Sequence, residues 1–169
     1  MERNFYSTSS CGVCGKASVD AIMAQSMYSQ AENDMKIDGK ILFALQEKLL
    51  AVQSAFEMTG GLHACAIFSP EGDYLFHSED VGRHNALDKL IGHAFMAGRI
   101  PLDKHILLLS GRASFELIQK ASMAGISCIV AVGAPSSLAV ELAKENKLTL
   151  VGFLKKSGFN IYSGSQRIL

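Results

Sequence analysis

The sequence has no excess of charge of either sign, because 16 basic and 16 acidic residues cancel. That balance gives no support for broad binding to nucleic acid or a membrane surface, so any anion site must be local. Long apolar runs are missing too, which argues against a bilayer-spanning helix. Met1–Ser10 has no apolar stretch of the kind a secretory signal needs. Together these absences give a cytoplasmic reading. Cysteine is scarce: the four are Cys11, Cys14, Cys65 and Cys128, and only the first two are close in sequence. In a cytosolic chain that spacing points to redox, sulfur or metal chemistry more than to a structural disulfide. No loop matches a Walker or G-x-G-x-x-G pattern, so spacing alone names no ligand.

What is present is ample apolar material. Hydrophobic residues make up 49% of the 169, which suits a single compact domain. No internal repeat or second domain is evident. Arg3–Ser18 is rich in Ser, Gly and Thr and has neither helix nor strand period, so it is expected to be a mobile loop carrying the cysteine pair. Ala17–Ser29 predicts a short helix, and Gln30–Gly39 a polar connector. Ile41, Leu42, Leu45, Leu49, Val52 and Phe56 recur at helical spacing, which predicts one amphipathic helix over Lys40–Met58, ended by Gly60 and Gly61. Strands are expected at Leu62–Phe68 and Tyr74–His77, joined by a turn at Pro70–Asp73. The α/β core then continues to the C-terminus. Helices over Arg83–Met96, Ala113–Ala124 and Ser136–Lys144 alternate with strands at His105–Leu109, Ile126–Val132 and Leu148–Leu154. A last strand is expected at Phe159–Tyr162. Unbroken apolar strands alternating with helices argue for a mixed, mostly parallel sheet covered on both faces, a three-layer α/β/α sandwich.

Three polar loops follow strands that should run in one direction. They are Glu79–Asn85, Ser110–Ser114 and Gly133–Ser137, and each precedes a helix. Ligands of open α/β sheets bind beyond the C-terminal strand ends, where free N–H groups and helix dipoles favour anions. Ser110 and Ser114 supply hydroxyls, and Arg83 and Arg112 can grip a phosphate with paired N–H donors. His84 is placed to contact a ligand or handle a proton. The plainer alternative is helix capping by Asp80, Ser110 and Ser136.

The cysteine pair admits several chemistries. Sulfur carriage needs an accessible, mobile thiolate, which glycine-flanked Cys11 would supply, and Cys14 could release the sulfur by closing a disulfide. A zinc site could combine Cys11 and Cys14 with His63 and Cys65. A dithiol oxidoreductase is a third reading, although such motifs normally follow a strand and open a helix. Cys128 lies in an apolar run and is expected to be an inert core thiol.

Several blocks now coincide with one known family. Asn4–Gly15, Thr59–Cys65, Glu79–Lys89, Ser110–Glu116, Ala134–Val140 and Leu150–Phe153 together resemble the FdhD/NarQ family nearly end to end. The resemblance implies a cytidine-deaminase-like fold. The deaminase zinc signature is absent, which disfavours deamination. It further implies a sulfurtransferase and no catalytic metal held by the protein. A cysteine desulfurase would supply a persulfide to Cys11, with Cys14 as its partner. The acceptor would be the molybdenum bis(molybdopterin guanine dinucleotide) cofactor of formate dehydrogenase. Leu154, Lys155, Lys156, Ser157, Gly158 and Phe159 would bind that guanine-nucleotide-containing cofactor, joined by Arg83, His84, Ser110, Arg112 and Ser114. A homodimer is implied. So is a segment ahead of the signature loop that this sequence lacks. The competing function is a non-catalytic chaperone that binds and delivers the cofactor.

Overall fold

The computed structural model describes Tyr28 and residues 34–169. The expected loop at 3–18 and nearly all of the helix expected at 17–29 lie outside the described residues. Helix α1 spans Gly39–Leu50 and α2 spans Ser54–Thr59. Strands β1 (His63–Phe68) and β2 (Tyr74–Asp80) form a hairpin, followed by α3 (Arg83–Met96). Then come β3 (Ile106–Leu109), α4 (Phe115–Met123), β4 (Cys128–Ala131), α5 (Ser137–Glu145), β5 (Thr149–Lys155) and β6 (Gly158–Ser163).

The six strands form one sheet in the order β2-β1-β3-β4-β5-β6. Neighbours β3, β4 and β5 are parallel, whereas β1 and β6 run against their neighbours. Four strands, β2 among them, therefore share one direction, and the sheet is mixed as expected. Its two faces bury separate cores. Leu42, Leu45 and Leu49 of α1 pack with Ala66, Leu108 and Val130 on one face. Leu87 and Leu90 of α3, Ile118 of α4 and Leu142 of α5 pack with Ile67, Leu107 and Ile129 on the other. The alternation of the two sets along β1, β3 and β4 is the period-2 geometry of a strand buried on both sides. Among the described residues no helix is long and apolar enough to cross a membrane.

The single helix expected over 40–58 is broken. Gln53 is 4% exposed and donates to Glu79 Oε1 at 3.3 Å. Glu79 also accepts from the backbone N–H groups of Ala55 (3.2 Å) and Phe56 (3.0 Å). A carboxylate on β2 thus caps a new helix start, as side chains do at helix N-termini. No Gly or Pro marks the break, and apolar spacing continues through it. Gly60 ends α2 in the left-handed conformation (φ +65°), the expected role of a glycine there.

Candidate functional site

The polar loops gather at the C-terminal ends of β2, β3 and β4, with sheet-like pairing carried beyond the strands. Gly133 N–H donates to Gly111 O at 2.9 Å, Ala113 N–H to Ala134 O at 3.1 Å, and Ser136 N–H to Ala113 O at 3.0 Å. This stitching requires close approach. A Cβ at Gly133 would lie 2.9 Å from Arg112 N. The loop before α3 is fixed by Asp80, whose Oδ1 accepts from Gly82 N–H (2.9 Å) and Asn85 Nδ2 (3.2 Å). Lys89 pairs with the same carboxylate. The Lys89 contact and the Gly82 N–H hold its carboxyl well down, to about 2.

Arg83, Arg112, Ser114 and Ser136 line one cleft of about 220 Å³ between these loops. Ser114 occupies the N-cap of α4 but makes no capping bond. Its hydroxyl is instead 3.1 Å from His84 Nε2. Ser136 does cap α5, accepting from Ala139 N–H at 3.2 Å. The His84 imidazole is pushed below its ordinary pKa by burial and then by the neighbouring Arg83 charge, which favours its neutral form. Two guanidiniums and a buried hydroxyl, with the His84 imidazole behind that hydroxyl, make a cleft that favours an oxyanion.

Sequence reasoning missed Glu116, whose Oε2 lies 3.8 Å from His84 Nε2. The signal for it was an acidic residue in the first turn of α4. That oxygen is buried and has no hydrogen-bond partner among the described residues.

The sequence-predicted ligand residues fall in three places. Arg83, His84, Arg112 and Ser114 come together at this cleft. Ser110 does not cap a helix: its Oγ accepts from Ala64 N–H at 2.8 Å, joining β1 to the end of β3. It lines a different groove of about 380 Å³, on the α1 side, with His63 and Leu49. Lys155–Phe159 forms the tip of the β5–β6 hairpin, between the two strands expected there, with Lys155 paired to Gly158. Lys155, Ser157, Gly158 and Phe159 line a hollow of about 410 Å³ there. Lys156 meets Glu47 Oε1 at 2.6 Å. Leu154 is 1% exposed and its side chain belongs to the α1-side core.

Cys65 and Cys128 are both buried, and burial pushes each thiol up to about 12. A thiol so held is a poor nucleophile and a poor zinc ligand. Among the described residues no three His, Cys, Asp or Glu side chains gather as a metal-binding group. Cys11 and Cys14 lie outside the described residues.

The family model for the FdhD/NarQ family matches residues 1–169. The chain belongs to the FdhD/NarQ family. Curated FdhD/NarQ relatives include "Sulfur carrier protein FdhD" of Streptomyces avermitilis, 53% identical over 169 residues, or 99% of this chain and 60% of the relative. The protein of the same name from Picrophilus torridus is 44% identical over 167 residues, covering 99% of this chain and 63% of its own length. A crystal structure of a proposed formate dehydrogenase accessory protein from Desulfotalea psychrophila superposes with a TM-score of 0.73 at 29% identity. That match covers 80% of this chain and 58% of the other. The chain thus spans about 60% of the length of the curated FdhD/NarQ relatives it matches.

Proposed function

We propose that this chain carries sulfur as a persulfide on Cys11 and passes it to the molybdenum bis(molybdopterin guanine dinucleotide) cofactor used by formate dehydrogenase. Family membership and the relatives' name support the class of reaction. The observation that carries the assignment to particular atoms is the state of the other thiols. Cys65 and Cys128 are shut into the two cores and held protonated, which leaves Cys11 and Cys14 as the sulfur chemistry of the chain.

The Cys11 thiolate attacks the outer sulfur of a persulfide on a cysteine desulfurase. A new S–S bond forms on Cys11, and the donor cysteine leaves as a thiolate. For release, the Cys14 thiolate attacks Cys11 Sγ. The outer sulfur departs as sulfide to the cofactor, the two thiols supply the two electrons, and a Cys11–Cys14 disulfide remains. A dithiol reductant restores the pair. The cleft of Arg83, Arg112 and Ser114, with His84 behind it, holds phosphate oxygens of the cofactor as substrate. The Lys155–Phe159 hairpin holds its nucleotide part. A cytoplasmic homodimer is the form this reading assigns to the protein.

Intact mass measurement tests the proposal. Incubation with a cysteine desulfurase and free cysteine is expected to add one sulfur atom, removable by DTT, to the chain and to Cys14→Ala, but not to Cys11→Ala. A sulfur adduct that persists in Cys11→Ala defeats the assignment.

A further inference from the structure

Three polar side chains meet between α3 and α4 in an arrangement that capping does not explain. Ser114 is 4% exposed and stands at the N-cap of α4, where a serine hydroxyl ordinarily accepts from the helix's own N–H groups. It makes no such bond, and its Oγ lies 3.1 Å from His84 Nε2 instead. Glu116 stands in the first turn of α4. Its Oε2 is buried, has no hydrogen-bond partner among the described residues, and lies 3.8 Å from the same His84 nitrogen. Lys120 of α4 pairs with Asp88 of α3 and ties the two helices together.

The shared nitrogen forces a choice. In a neutral imidazole one ring nitrogen donates and the other accepts. Were Nε2 the acceptor, its lone pair would face the Glu116 oxygen. The Ser114 proton would then be used up on His84, and the hydroxyl would turn only lone pairs to the cleft, which repel an anion. With the proton on Nε2 both conflicts vanish. The N–H donates to Ser114 Oγ with the carboxylate oxygen beside it, where a low dielectric strengthens the attraction. The Ser114 O–H is left free to donate into the cleft that Arg83 and Arg112 also line. We infer that Glu116 is a positioning residue for anion binding: it holds the His84 proton on Nε2, and His84 in turn aims the Ser114 hydroxyl at the ligand. This rests on the reading that the cleft holds phosphate oxygens. It gives a carboxylate the task of helping an anion to bind.

That sign is the test. Removing a negative charge beside an anion site ordinarily tightens binding. Glu116→Gln is expected instead to weaken binding of inorganic pyrophosphate by about tenfold, the size of one hydrogen bond to a charged group. Ser114→Ala is expected to lose about the same factor, and adding Glu116→Gln to it should cost nothing further. Nitrogen-15 NMR of the histidine rings, at about pH 8 where an ordinary imidazole is neutral, reads the tautomer directly. His84 should carry its proton on Nε2 in the unsubstituted chain and shift toward Nδ1 in Glu116→Gln. A proton on Nδ1 in the unsubstituted chain overturns the inference, even if pyrophosphate binds. Tighter or unchanged binding by Glu116→Gln overturns it too, as do losses that simply add in the double variant. If the unsubstituted chain binds no pyrophosphate, the cleft reading itself fails and takes the inference with it.

Discussion

Replacing Cys11 with alanine is expected to abolish activation of formate dehydrogenase in a reconstituted system and to leave cofactor binding unchanged. Neither Cys65 nor Cys128 can take over acceptance, because both are buried, and this reading gives Cys14 the release step alone. Burial pushes both of those thiols up to about 12, so they stay protonated at pH 7, and both side chains are walled off from any donor. Cys14→Ala should still accept sulfur but release it slowly, since the electron pair for release would have to come from outside. Binding should survive both changes. The groups that face phosphate, Arg83, Arg112 and Ser114, sit on α3 and on the loop before α4, fixed by the Asp80 turn and the Ala113–Pro135 bridge. Full activation by Cys11→Ala would instead identify a chaperone that only binds and delivers the cofactor.

A second large effect is expected at Gly133. A methyl group added there would lie 2.9 Å from Arg112 N, 3.0 Å from its Cα and 3.0 Å from its Cγ. Two of the three are backbone atoms, which cannot swing away. The loops after β3 and β4 would have to part, breaking the Gly133–Gly111 bond and releasing Phe153 N–H from Gly133 O. Gly133→Ala should cost about 1–3 kcal/mol, the range for overpacking a tight site, lower Tm by roughly 2–4 °C per kcal/mol, and abolish pyrophosphate binding. Gly92 is the internal control. It lies within α3 with open space around its Cβ position, so alanine there should stabilise by about 0.5–1 kcal/mol and leave binding intact. Unchanged Tm and binding in Gly133→Ala would contradict the geometry of the cleft.

The architecture was legible because each strand buried on both faces is a short apolar run, and each helix carries its own periodic face. Ile106–Leu109 and Cys128–Ala131 are the clearest cases. What sequence could not show was decided by distant partners. The break after Leu50 is made by Glu79, more than twenty residues away, without Gly or Pro in the helix. Strand β2 runs on through Ser78, Glu79 and Asp80 because β1 pairs with all three, although their polarity suggests a loop. The cleft was anticipated from loop chemistry at strand ends. Its separation from Ser110 was not, because the hydroxyl is claimed by Ala64 N–H across the sheet. Leu154 falls in the stretch that the resemblance assigns to the ligand, but β5 shifts register against β6 between Gly152 and Lys155, with Phe153 at φ +55°, and Leu154 turns into the core. Glu116 was overlooked because its neighbour His84 lies on another helix.

The central claim is that sulfur travels through one cysteine of this chain. Loading Cys11 with radiolabelled sulfur from a desulfurase, removing the donor, and adding molybdenum cofactor with formate dehydrogenase measures it directly. The label should leave the chain, appear on the cofactor in proportion to the enzyme activity gained, and leave the Cys11–Cys14 pair oxidised. Activity that appears while the label stays on the chain would contradict the account.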